Sequence, residues 1–74
     1  MGYNVYIQDI PLKTKKTFIQ DQIKSFGEVW DIEIKRNPNG KLHAKVSYIS
    51  KESKISLLNN QHKLGFNYGK MYWV

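Results

Sequence analysis

Seventy-four residues are enough for one small domain, and a 41% hydrophobic fraction with five tyrosines, three phenylalanines and two tryptophans can fill one core. The lack of cysteine excludes a disulfide framework, a thiolate metal site and a cysteine nucleophile, and the apolar runs are far too short for a membrane span. Twelve Lys and Arg against six Asp and Glu give a net charge of +6, which favours an anionic partner, and the lack of cysteine fits a nuclear or cytoplasmic setting.

Taken in chain order, Val5 to Ile10 alternates as a half-buried strand does: Val5 and Ile7 share one face, and Asn4, Tyr6 and Gln8 share the other. Pro11 lacks an amide donor and ends it. Thr14 then offers a helix N-cap, and Phe18, Ile19, Gln22, Ile23 and Phe26 follow at helical spacing until Gly27. Val29 to Lys35 reads as a second strand with Ile32 and Ile34 inward and Asp31, Glu33 and Lys35 outward. Asn37-Pro38-Asn39-Gly40 is a dense turn signal, so the next strand, Lys41 to Tyr48, closes an antiparallel hairpin.

In that strand Ala44, Val46 and Tyr48 point to the core, while Lys41, His43, Lys45 and Ser47 point away from it. Ser50 can cap a helix running to about Gln61, with Ile55 and Leu58 on its inner side. Leu64 to Gly69 is loop-like, and Lys70 to Val74 is the last strand. If Tyr72 and Val74 fill the core, Met71 and Trp73 lie on the opposite face; a slip of one residue reverses this and buries Met71 and Trp73.

The predicted order is strand, helix, strand, strand, helix, strand, an α+β ferredoxin-like βαββαβ unit. Its four-stranded antiparallel sheet has the order 4-1-3-2 with both helices on one face. The first and third strands are then central neighbours, so Tyr6 and His43 are expected side by side on the open face. The same topology gathers Lys13, Lys15, Lys16, Arg36, Lys41 and Lys63 at one end of the sheet. No Ser-His-acid set, carboxylate pair or glycine-rich phosphate loop follows from spacing, and His62 falls in a different element from His43. Neither catalysis nor a metal or other cofactor is expected.

Over nearly its whole length the chain resembles an RNA recognition motif. Val5-Tyr6-Ile7-Gln8-Asp9-Ile10 is similar to the family's hexapeptide signature, with Asp9 in place of the usual asparagine. Phe26-Gly27-Glu28-Val29 and Gly69-Lys70-Met71-Tyr72-Trp73-Val74 resemble the openings of the second and last strands. Lys41 to Tyr48 occupies the octapeptide position. Lys41, Ala44, Val46 and Tyr48 fit; Leu42 replaces a glycine, His43 takes the place of an aromatic residue, and Lys45 replaces a second aromatic.

The resemblance implies a sheet face that binds single-stranded RNA, with Tyr6 and His43 stacking bases, Lys41 meeting a phosphate and Lys45 reaching a phosphate or a base edge. Gln8, Lys35 and Arg36 complete the expected contacts, and Trp73 extends the platform if it lies on the open face. A rival reading is a protein-interaction domain of the same fold, its partner held by Trp30 or the helix face, since Asp31 and Glu33 repel phosphate unless they pair with Lys35 and Lys45. A third is a domain that binds only beside a sister domain. The end after Val74 fits a monomeric module of a longer, multidomain chain.

Overall fold

The computed structural model describes residues 2–74. Its elements are β1 (Tyr3–Ile10), α1 (Lys16–Lys24), β2 (Val29–Arg36), β3 (Leu42–Tyr48), α2 (Lys51–Asn59), a 3-10 turn (Gln61–Lys63) and β4 (Lys70–Trp73). The strands form one antiparallel sheet in the order β2-β3-β1-β4, the ferredoxin-like arrangement expected from the pattern. Alternation in β3 is the reason the sheet has a clear inside: Leu42, Ala44, Val46 and Tyr48 are all buried, joined there by Val5 and Ile7 of β1. Ile19 and Ile23 of α1, Leu57 of α2, Phe66 and Met71 complete the core.

One residue of β1 breaks the strand's alternation. Asp9 sits at φ 60°, a left-handed conformation that Asp tolerates better than β-branched residues, and the pairing with β3 shifts register between Ile7 and Ile10. The bulge lets Ile7 and Ile10, three residues apart, both enter the core. Across the turn, the Asn37 N–H donates to the Lys41 carbonyl at 2.7 Å, and Gly40 takes the positive φ of 82° that closes the hairpin.

The helices differ from the sequence pattern in two ways. Lys15, not Thr14, is the N-cap of α1 and provides no side-chain bond; the Thr14 N–H is used in a turn onto the Pro11 carbonyl. With no acid in its first turn, α1 depends on the burial of Ile19 and Ile23 and not on capping. Ser50 does cap α2, accepting the Ser53 N–H at 3.2 Å. Yet α2 buries Lys54 and Leu57, Leu58 is half-buried, and Ile55 is exposed, so the stripe lies one position away from the expected Ile55 and Leu58. The lysine can face inward because its methylenes cover apolar surface while its ammonium donates to the Val74 carbonyl.

Tyr48 joins the sheet to α1. Its fully buried hydroxyl donates to the Ile23 carbonyl at 2.7 Å, and burial pushes the phenol above its ordinary range. The folded chain therefore keeps a proton that the unfolded chain releases above about pH 10, and stability falls as pH rises beyond that point. By pH 11 this group alone removes roughly 1 kcal/mol. Urea titrations from pH 9 to pH 11 are expected to show that extra loss in the natural sequence and not in Tyr48→Phe. Below pH 10 that variant is about 1 kcal/mol less stable for its missing hydrogen bond, and the gap closes as pH rises toward 11.

Candidate nucleic-acid interface

The face of the sheet away from the helices is built in rows that the strand registers define. Glu33, Lys45, Tyr6 and Tyr72 form the central row, each paired with the next across β2, β3, β1 and β4. On one side lie Asp31, Ser47 and Asn4. On the other are Lys35 paired with His43 and Gln8 paired with Lys70. Directly paired side chains sit about 4.5–5.5 Å apart at Cβ, so Tyr6 and Tyr72 stand next to each other on this face.

Tyr6 is half-buried among its neighbours and Tyr72 is exposed. The Lys70 ammonium stands 4.7 Å from the centre of the Tyr72 ring, a cation–π contact worth about 0.5–1 kcal/mol at an exposed site. Lys45, exposed on β3, flanks Tyr6 from the other side. Below, His43 is half-buried and its Nδ1 lies 2.5 Å from Asn37 Oδ1. A carboxamide oxygen only accepts, so Nδ1 is the donor and Nε2 is the nitrogen left for other partners. Above, the Ser47 hydroxyl donates to Asn4 Oδ1 at 2.6 Å, which fixes this polar corner.

Charge on this face is uneven. Asp31 and Glu33 occupy the β2 edge, where Glu33 lies 3.8 Å from Lys35; among the described residues it is Lys35, not Lys45, that forms this ion pair. Lys45 and Lys70 thus flank the tyrosines, and the carboxylates stand to one side. Lys41, exposed in the turn, supplies its backbone N–H to Asn39 Oδ1. The end of β1, the 37–41 turn and the start of β4 meet at one end of the sheet; Lys13 and Lys15 follow β1 and Lys41 lies in the turn, whereas Lys16 belongs to α1 and Lys63 to the 3-10 turn.

Three expectations need correction in this geometry. Tyr6 and His43 are not side by side: Lys45 is the partner of Tyr6, and His43 lies one row further along, opposite the Asp9 bulge. Trp73 pairs with Val5, whose side chain is in the core, so its ring lies on the helix side of the sheet, as Met71 does opposite Ile7. Tyr72 and Lys70 take the places on the open face. Arg36, paired with buried Leu42, likewise shares the core-side parity of β2, not that of Lys35. The slipped register of the last strand, already an alternative on paper, is the signal that would have found Tyr72.

Trp30 lies within β2, at a register shift between Val29 and Asp31, and is 66% exposed on the free edge of the sheet. It borders a shallow depression shared with Gln20 and Lys24 of α1.

No family model and no curated protein matches this sequence. Solved structures do match its fold. The RRM of Rna15 with bound RNA (GU) superposes with a TM-score of 0.74 at 23% identity, covering 100% of this chain and 84% of that one. The structure of the Rna15 RRM described without RNA gives a TM-score of 0.74 at 22% identity, covering 99% and 90%.

Proposed function

We propose that this domain binds single-stranded RNA across the open sheet face, with successive bases stacked on Tyr6 and Tyr72 and phosphates held by Lys45 and Lys70. The observation that carries the reading is the pairing of two tyrosines on the solvent side of the central row, flanked by two ammonium groups. Single strands need this combination: every base has a face to stack, and every nucleotide brings a charge. A base arriving on Tyr72 displaces the Lys70 ammonium from the ring, and the freed amine serves the adjoining phosphate. His43 offers Nε2 to a base edge, and Gln8 offers its carboxamide beside it. Lys41 and Lys35 extend the basic side of the face. The RNA-bound state of the Rna15 RRM, a protein of the same fold, supports the choice of ligand.

Binding is expected to weaken as salt rises, with a log–log slope of about −0.7 for each phosphate contact on a single strand. Fluorescence anisotropy with a labelled single-stranded oligonucleotide over a salt series measures it. Lys45→Ala is expected to flatten the slope by about 0.7, and an RNA duplex of equal length is expected to bind more weakly because its bases are not free to stack. An unchanged slope for Lys45→Ala would remove that lysine from the phosphate path.

The exposed ring of Trp30 favours a second reading, in which the β2 edge holds a protein partner. Trp30→Ala is then expected to leave RNA affinity unchanged while abolishing that partner's binding.

A further inference from the structure

Beyond the end of β1, away from the tyrosines, the loop before α1 and the loop before β4 enclose a groove of about 420 Å³ lined by Pro11, Lys13, Lys15, Phe18, Phe66 and Asn67, among others. Its wall is aromatic. Phe18 belongs to the core-facing pattern of α1 on paper, yet it remains 41% exposed and lines this opening instead. The floor is Phe66, which is buried, and the rim carries the exposed Lys13 and Lys15. The two walls are tied together, since the Gly65 N–H donates to Gln22 Oε1 of α1 at 2.8 Å. The groove therefore exists before any ligand arrives, and its ordering cost is already met within the fold.

Resting on the sheet-face reading above, we propose that this groove holds a further nucleotide of the same RNA strand, its base against Phe18 and its phosphate between Lys13 and Lys15. Two observations select this occupant. An apolar wall ringed by ammonium groups complements a base joined to a phosphate, and no acidic side chain lines the groove to oppose it. The groove is also near the sheet face along the chain: Asn67, which lines it, is three residues before Lys70 on the open face, a span of at most roughly 10 Å, with the Asp9 side chain packed against Gly69 between them. A strand leaving Tyr72 past Lys70 arrives at the groove within a short run of nucleotides.

The test compares a dinucleotide with a hexanucleotide of single-stranded RNA by NMR titration of the whole 74-residue chain. Both are expected to shift Tyr6, Lys45 and Tyr72, and only the hexanucleotide is expected to shift Lys15, Phe18 and Asn67. Lys13→Ala combined with Lys15→Ala changes two exposed side chains, so the fold is retained. This pair is expected to weaken hexanucleotide binding about 5-fold or more and to flatten its salt slope by about 0.7 to 1.4, with dinucleotide affinity unchanged. If the hexanucleotide moves the tyrosines and leaves Phe18 and Asn67 still, the groove proposal is overturned and the sheet-face reading stands. If neither RNA moves the tyrosines, the sheet-face reading fails and the groove proposal falls with it. If a polyglutamate peptide shifts Phe18 and Asn67 as strongly as RNA does, the groove belongs to an acidic protein segment, which also overturns it.

Discussion

Replacing Tyr6 and Tyr72 together by alanine is expected to abolish measurable RNA binding while the domain stays folded. Each ring supplies one stacking surface worth about 1–3 kcal/mol by alanine substitution, so either single change weakens binding roughly 5- to 150-fold. The double variant does not simply add the two, because directly paired side chains couple. Both rings lie on the solvent side of the sheet, opposite the face that carries Val5, Ile7 and Met71, so the core is untouched. Phenylalanine at the same positions keeps the π-face and is expected to retain most of the affinity. Anisotropy titrations of the two singles, the double and the phenylalanine pair, with thermal melts alongside, distinguish stacking from loss of the fold.

Gly27→Ala is expected to destabilise the domain by about 2–6 kcal/mol. Gly27 has φ +150°, and an added Cβ would overlap the hydroxyl of Ser53 and lie 2.5 Å from its Cβ. Neither neighbour can give easily. The chain after α1 is pinned by the Phe26 and Gly27 amides bonding back to the Ile23 and Lys24 carbonyls, and Ser53 is in the first turn of α2, where its own N–H is capped by Ser50. A loss of this size is comparable to the whole stability of a small domain, so the variant is expected to be largely unfolded at physiological temperature. Ser53→Gly in the same chain opens the space and is expected to restore part of the loss, which thermal unfolding of the two variants measures.

Where the pattern had contrast, the fold was legible. In β3 each apolar residue from Leu42 to Tyr48 alternates with a polar one, and that strand alone gives the sheet its inside and outside. The turn at 37–40 and the Ser50 cap are equally local, decided by residues within a few positions of each other. In β4 this contrast is missing, because Met71, Tyr72 and Trp73 are all apolar and any of them suits a core. Pairing decides instead: the Gly69 N–H donates to the Gln8 carbonyl at 2.9 Å, which sets Lys70 opposite Gln8 and forces Tyr72 outward beside Tyr6.

The other departures have similar causes. His43 lies a row away from Tyr6 because the regular ladder of β1 and β3 sets Lys45 opposite Tyr6, and which of several same-face residues comes opposite another is a matter of long-range pairing that alternation does not encode. The inner face of α2 departs from the apolar pattern because Lys54 is by type a surface residue, although its stem is apolar and a carbonyl lies within reach of its ammonium. Phe18 shows the reverse: its spacing belongs to the core stripe of α1, but the loop before β4 leaves one side of its ring open. The candidate site was thus recognisable as a face, and its membership depended on long-range register.

The most direct test of the central claim is the NMR signal of the Tyr6 and Tyr72 ring protons as single-stranded RNA of mixed sequence is added. Stacked bases are expected to shift both sets of ring protons together, with the Lys45 amide following and higher salt reversing the change. Rings that stay still while the domain remains folded, with the shifts gathered instead around Trp30 and the β2 edge, would contradict it.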